Sequence, residues 1–245
     1  MYRERKAVCG GVVWTGAASV GEQRRIVPDG CMDLLWDGER VLVAGPDTTA
    51  HVAEGRTGRV FLGLRLPPGA GPAVLGVPAR EVRDQRVALA DVWSAAAARR
   101  LGDQAAQAGD PGVPLERVAA RLLADGPGAD PLMTRTAALL DTGASVARVA
   151  RETGLGARRL HRRSLAAFGY GPKTLGRILR FGRALAAARA GTPFAEAAAG
   201  AGYADQAHLA REVKELAGVP LGVLTGHSSG ANRSTQLPSG SSTSA

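Results

Sequence analysis

Residues 145–169, SVARVARETGLGARRLHRRSLAAFG, and residues 194–218, FAEAAAGAGYADQAHLAREVKELAG, are two versions of one pattern. Leu160, Arg162 and Gly169 of the first recur as Leu209, Arg211 and Gly218 of the second, each 49 positions later. Ahead of each set lies a short apolar helix that ends at a glycine turn. In the first copy Val146, Val149 and Ala150 fall at i, i+3 and i+4 behind Ser145, a residue suited to an N-cap. The turn Thr153-Gly154-Leu155 then leads into a new helix near Gly156. In the second copy Phe194 to Ala199 lead through Ala201-Gly202-Tyr203 to a helix starting near Asp205. Helix, short glycine turn and second helix make a helix-turn-helix, here present twice in about ninety residues.

The second helix of the first copy sorts by face. Arg158, His161 and Arg162 share one side, flanked by Arg159 and Arg163. Leu160, Ser164 and Phe168 lie roughly opposite and should pack inward. Donors along a leading face are what major-groove reading requires, because arginine pairs both acceptors of guanine at once. A solvated basic face on an ordinary bundle helix is the plain alternative. Between the copies, Leu175, Ile178, Leu179, Gly182, Leu185 and Ala186 form one stripe. It predicts a single helix from about Lys173 to Arg189, opened by Pro172 and closed by Gly191. Such a strut spans roughly 25 Å, enough to hold two reading helices at adjacent groove segments. Arg177, Arg180 and Arg183 project from its other sides, toward phosphates or simply into water.

Charge is segregated in the same way. Residues 1–133 carry 16 basic and 16 acidic side chains, whereas residues 134–225 carry 14 basic and 6 acidic. That asymmetry is expected when only the second part meets a polyanion. Within it, residues 145–191 hold eleven basic groups against Glu152 alone, and residues 192–225 hold Arg211 and Lys214 against four acidic groups.

Outward from the repeat, Gly10 to Leu66 reads as β. Short apolar runs (Val12 to Trp14, Arg25 to Val27, Met32 to Trp36, Val41 to Ala44, Val60 to Leu66) are separated by Pro28-Asp29-Gly30, Asp37-Gly38, Gly45-Pro46-Asp47 and Gly55. Helical patterns follow at Ala79 to Arg83, Leu89 to Ala108 and Leu115 to Ala124, and are expected to cover the β block. Residues 226–245, rich in Ser, Gly and Thr, predict a disordered tail. No stretch reaches the roughly 20 apolar residues of a membrane span, and no signal-peptide core stands at the N-terminus, so a cytoplasmic protein is expected.

Two cysteines, Cys9 and Cys31, support neither a disulfide framework nor a four-cysteine zinc site. No phosphate loop, nucleophile elbow or zinc motif occurs, so neither enzyme activity nor a cofactor or metal is expected. Asp29, Cys31 and Asp33 alternate and would share one face of a strand. With Trp36 nearby, Cys31 and Asp33 mark a candidate effector pocket. The competing reading makes Asp29-Gly30 a turn, Cys31 core and Asp33 a cap for a backbone amide. Trp14, Trp36, Phe61 and Trp93 read as core.

Residues 134–225 resemble the DNA-binding domain of the AraC family of transcriptional regulators. The resemblance rests on Ala150 to Leu160 with Arg162, Phe168-Gly169-Tyr170-Gly171-Pro172-Lys173, and Arg180-Phe181 with Ala184. It continues through Gly202-Tyr203-Ala204-Asp205-Gln206-Ala207-His208-Leu209-Ala210-Arg211 and Gly218-Val219-Pro220. It departs at Ser164 and Val213, where an aromatic is usual, and at Leu221, where proline is usual. The resemblance implies base reading by Arg158, His161 and Arg162, and by Gln206, Ala207 and Arg211, with phosphate contacts from Arg159, Arg163, Arg177 and Arg180. Val27 to Trp36 and Ala44-Gly45-Pro46-Asp47-Thr48 also resemble a short domain that precedes some such readers, which implies a β-rich sensor.

The expected architecture is a two-domain α+β chain. Residues 1–130 form a β-rich sensor or dimerisation domain with covering helices. Residues 131–225 form an all-α domain of two helix-turn-helix units joined by a long helix. The resemblance implies a sequence-specific regulator whose partner is double-stranded DNA. RNA polymerase, a small-molecule effector and a second copy of the chain are further partners it admits. The alternative is an enzyme or methyl-acceptor-like N-terminal domain fused to a DNA-binding one.

Overall fold

Alternating apolar residues build the first half into strands β1 (Tyr2–Lys6), β2 (Val12–Ala17), β3 (Gln23–Ile26), β4 (Met32–Trp36), β5 (Val41–Ala44), β6 (His51–Glu54), β7 (Val60–Leu66) and β8 (Arg86–Ala88). The computed structural model describes residues 2–17, 23–54 and 60–226. The expected turn at Gly55 and the tail from residue 227 onward lie outside the described residues. Six strands form an antiparallel sheet in the order β1-β2-β7-β4-β5-β8, and β3 pairs with β6 as a separate ribbon. Across the sheet, Val13 stands opposite Leu64, Leu64 opposite Leu34, and Leu34 opposite Val43. Leu34, Leu64 and Val43 are fully buried, so this row is the centre of the core. Helices α1 (Gly71–Leu75), α2 (Ala95–Gln107) and α3 (Gly112–Asp125) cover that face. Ala98, Leu101, Ala105, Leu115 and Ala119 supply their buried side chains.

Several expected boundaries move for local reasons. The helix expected over Ala79 to Arg83 is a single 3-10 turn, Ala79–Glu81. The one expected over Leu89 to Ala108 divides at Ser94, whose hydroxyl accepts from Ala97 N and starts α2 afresh after a 3-10 turn at Leu89–Asp91. Strand β1 carries Arg3, Glu4, Arg5 and Lys6, all exposed, at the sheet edge. Charge there discourages further strand pairing and also hides the strand from a reading based on apolar runs.

The second half is helical throughout: α4 (Pro131–Asp141), α5 (Val146–Thr153), α6 (Ala157–Phe168), α7 (Pro172–Arg189), α8 (Phe194–Ala201), α9 (Gln206–Ala217) and α10 (Leu221–Leu224). Ser145 and Asp205 cap α5 and α9 as their positions suggested, accepting from Arg148 N and His208 N. Gly154 (φ 65°) and Gly202 (φ 85°) end α5 and α8 in the left-handed conformation that lets each chain turn sharply into its second helix. Helix α7 is the expected strut, though its buried stripe is Leu175, Ile178, Phe181, Ala184, Leu185 and Ala188. Ala186, expected in the stripe, is exposed, and fully buried Phe181 takes the place of a weaker apolar position. Leu34→Ala should lower unfolding free energy by about 2–5 kcal/mol in urea titration. Val8→Ala, at a side chain 84% exposed, should change it by less than about 0.5 kcal/mol.

Candidate nucleic-acid interface

Packing on α6 falls on one side. Leu160, Ser164 and Phe168 are fully buried against the helical core. Arg158, Arg159, His161 and Arg162 are exposed on the other side. Among the described residues Arg158, Arg159 and Arg162 have no ion-pair partner. Their guanidinium groups stand in water with all donors available. On α9, Leu209, Val213 and Leu216 pack inward, and Gln206, Ala207, Ala210 and Arg211 are exposed. Each unit thus presents the leading residues of its second helix, for α6 on the face that its spacing marks and for α9 on the residues that the resemblance names.

The other arginines named from the sequence are differently placed. Arg163 bonds the carboxylate of Asp130, the N-cap of α4, through Nε at 3.0 Å and through Nη2. Arg177 reaches Glu212 at 3.2 Å and Glu215 at 2.6 Å. Arg180 bonds both oxygens of Glu212 at 2.9 and 2.8 Å and lies 4.2 Å above the Tyr203 ring. The Tyr203 hydroxyl donates to Glu212 Oε1 at 2.8 Å. Burial pushes the Glu212 carboxyl up, but the bonds from Arg180 and Tyr203 outweigh it and hold it below the usual carboxylate range. Burial pushes the Tyr203 hydroxyl up, and its bond to Glu212 adds to the rise. Arg183 caps helix ends, donating to Asp141 O and, at 3.4 Å, to Ala201 O. Sequence reading missed Glu212 because one glutamate among the charged residues Arg211, Lys214 and Glu215 of α9 carries no mark of burial.

In the N-terminal half, Cys31 and Asp33 lie near each other, and Trp36 stands apart from them on the opposite face. Period two places Met32, Leu34 and Trp36 on the core face of β4 and Asp33 on the other. Trp36 is buried, its ring against Gly102 of α2. Asp33 accepts from Trp14 Nε1 at 2.7 Å rather than from a backbone amide, with Arg65 Nε 3.7 Å away. Asp29 accepts from Cys31 N at 2.9 Å, closing the expected turn. Of the four aromatics expected in the core, Trp36 is buried and Trp14, Phe61 and Trp93 are half-buried. Burial raises the Cys31 thiol well above its ordinary range, and Asp29 and Asp33 add to the effect. A protonated thiol is the reverse of what a nucleophile needs. Among the described residues no group of three or more His, Cys, Asp and Glu is placed to hold a metal ion, and no helix is long and apolar enough to cross a membrane. A groove of about 460 Å³ lies elsewhere, between α1, the segment 127–130 and the Arg163 side of α6.

Comparison with known families matches residues 149–225 to a model described as a helix-turn-helix domain, over both units and the strut. Residues 149–225 thus match a helix-turn-helix domain. Residues 11–88 match a domain of unknown function, DUF6597. No curated protein matches the chain. Among solved structures it is similar to ToxT from Vibrio cholerae. The unsaturated fatty acid bound wild-type form from strain SCE256 has 12% identity and a TM-score of 0.49 over 92% of this chain and 99% of that one. ToxT from Vibrio cholerae O395 has 10% identity and a TM-score of 0.44 over 92% and 98%.

The chain accommodates its departures from the AraC-like pattern locally. Val213 is fully buried where an aromatic is usual, Ser164 buries a hydroxyl without a hydrogen-bond partner among the described residues, and Pro220 becomes the N-cap of α10. The division of its arginines has a measurable consequence. Arg180→Ala leaves buried Glu212 short of its main partner and should cost about 1–3 kcal/mol of stability, whereas Arg158→Ala should cost less than about 0.5 kcal/mol. Denaturant titration of both variants separates them.

The Asp33 carboxyl sets a second test. Burial raises it from 3.8 to about 6, against the opposing pull of Arg65 and Trp14. The folded chain therefore holds this proton more tightly than the unfolded chain. Stability contributed by Asp33 should fall as pH rises from about 4 to about 6 and stay level above that. Asp33→Asn should remove that slope and raise stability at pH 7 by up to roughly 3 kcal/mol, read from melts across the range.

Proposed function

We propose that α6 and α9 enter successive major-groove segments on one face of a duplex, with α6 supplying most of the sequence reading. The observation that carries this is the unpaired row Arg158, Arg159 and Arg162 on α6, beside a strut whose Arg177 and Arg180 are bound to carboxylates. In this reading Arg158 and Arg162 pair with guanine edges, His161 lies between them, and Arg159 meets phosphate. Arg163, Arg177 and Arg180 reach phosphate only by leaving Asp130, Glu212 and Glu215, so their phosphate contribution is small. Gln206 suits adenine, Ala207 suits a thymine methyl, and Arg211 suits guanine on the second segment. The strut, 18 residues or about 27 Å long, fits the roughly 34 Å repeat of the groove.

Regulation by a small molecule is part of the proposal. The groove beside α6 has the size of ordinary ligand sites and walls from Pro72, Ala73, Val77, Pro78 and Ala166, with the Arg163–Asp130 pair as its polar element. An occupant there would bear on the reading helix from behind. In this reading the AraC-like resemblance of residues 134–225 makes the chain a sequence-specific transcriptional regulator, and that resemblance alone supports RNA polymerase and a second copy of the chain as partners.

Selection from random duplexes tests the assignment. Arg158→Ala or Arg162→Ala should cost about 1–3 kcal/mol on the preferred site and relax the preference there. Arg159→Ala should weaken all duplexes alike and reduce the salt slope by about one. Arg211→Ala should cost less than Arg162→Ala, because the counterion release is concentrated on the first unit. An unchanged preferred motif in both α6 variants overturns the reading.

In a gel shift, residues 131–226 should retard duplex DNA and residues 1–130 should not. Retardation by the N-terminal fragment alone would contradict the division of labour.

A further inference from the structure

The C-terminal ends of α6 and α9 occupy equivalent places in the two units, one repeat apart, and both are held by arginines of the N-terminal half. Arg83 Nη1 donates to Gly169 O at 3.2 Å, and Arg25 Nη1 donates to Ala217 O at 2.9 Å. Carbonyls at a helix C-terminus lack partners within the helix and carry partial negative charge, so a guanidinium is well suited there. The segment between β5 and β6 adds a second contact beside each arginine. Pro46 lies so close to Gly169 that a Cβ there would stand 2.7 Å from Pro46 Cγ. Four residues on, Ala50 N donates to Leu216 O at 2.7 Å. Four residue steps span at most about 14 Å, so one short strap reaches from one helix end to the other.

The strap is braced along its length. Gly45 N donates to Gln85 O at 3.0 Å, and a Cβ on Gly45 would stand 1.6 Å from Val82 O, so only glycine fits. Asp47 accepts from Arg86 at 2.8 Å, and Thr48 donates to Asp84 Oδ1 from N at 2.6 Å and from Oγ1 at 2.9 Å. Ala44 to Thr48 is the motif that the sequence singled out and the DNA-reading assignment leaves without a role.

We propose that Arg25 and Arg83, joined by this strap, are positioning residues for DNA reading. The strut ties the two units along their packed sides. A second tie at the C-terminal ends of the reading helices fixes the angle and distance between them. The base-pair spacing between the two contacted segments thereby becomes a property of the N-terminal half. The proposal rests on the DNA-reading assignment above.

The test uses the full chain, with Arg25→Ala, Arg83→Ala, the double variant and the corresponding Lys variants. In amide exchange, Arg83→Ala should speed residues 165–170 and Arg25→Ala should speed residues 214–218, each by about tenfold, with the rest of the chain unchanged. The Lys variants, which still donate, should restore protection.

The same proteins are then bound to the duplex that the parent chain selects from a random pool, and to versions lengthened or shortened by one base pair between the two segments. The parent should discriminate among them. The double Ala variant should lose about tenfold of that discrimination while its affinity for unrelated duplex changes less than about twofold. Unchanged exchange at both helix ends, unchanged discrimination, or an equal loss on every duplex overturns the proposal. If the parent selects no duplex at all, the DNA-reading assignment fails, and the exchange data still judge the clamp.

Discussion

Glu212 sits 6% exposed between the strut and the second reading helix, and a carboxylate can be buried there only because three donors meet it. Arg180 supplies two bonds, and Arg177 and Tyr203 supply the others. These partners come from α7 and from the turn between α8 and α9. One buried charge therefore locks strut, turn and reading helix into a single arrangement. The same bonds occupy the guanidinium groups of Arg177 and Arg180, so the packing of the second unit helps decide which arginines of the domain stay unpaired.

The distribution of positive charge follows from that constraint. A guanidinium must stand in water, meet a carboxylate or meet a carbonyl, and this domain uses all three. Arg148, Arg163, Arg177 and Arg180 meet carboxylates, and Arg183 and Arg189 reach helix-end carbonyls. Arg158, Arg159 and Arg162 stand in water on α6. In the proposed DNA-reading mode, net charge draws the domain to DNA from a distance and the unpaired few make contact. The eleven basic groups of residues 145–191 thus overstate the number free for contact, although the imbalance between the two units survives.

The two halves meet at sequence features that look unremarkable alone. Gly30, in the turn that Asp29 closes, stands where a Cβ would lie 3.0 Å from Leu175, and Gly69 packs on Phe168. Tyr170 is 3% exposed, its hydroxyl without a hydrogen-bond partner among the described residues. Burial, with Asp29 nearby, raises its pKa well above the ordinary range. The turn residues of the β-rich half thereby pack against the first turns of the strut and the end of α6.

Local rules were enough for much of this. Repeated spacing at 49 residues, glycine turns, N-cap residues and apolar periodicity determined both helix-turn-helix units, the strut and the exposed face of α6, because each depends on neighbours within a few turns of chain. Period two determined that Asp33 lies on the opposite face of β4 from Trp36, so the two do not share the pocket that their nearness in sequence suggests. Only tertiary structure decided the rest. Whether Arg180 meets a phosphate or Glu212 depends on a carboxylate 32 residues away, and whether Arg83 holds Gly169 depends on one half of the chain docking on the other. Neither partner is marked in the sequence, because the energy of an ion pair or a capped helix end depends on distance in space, which residue order does not contain.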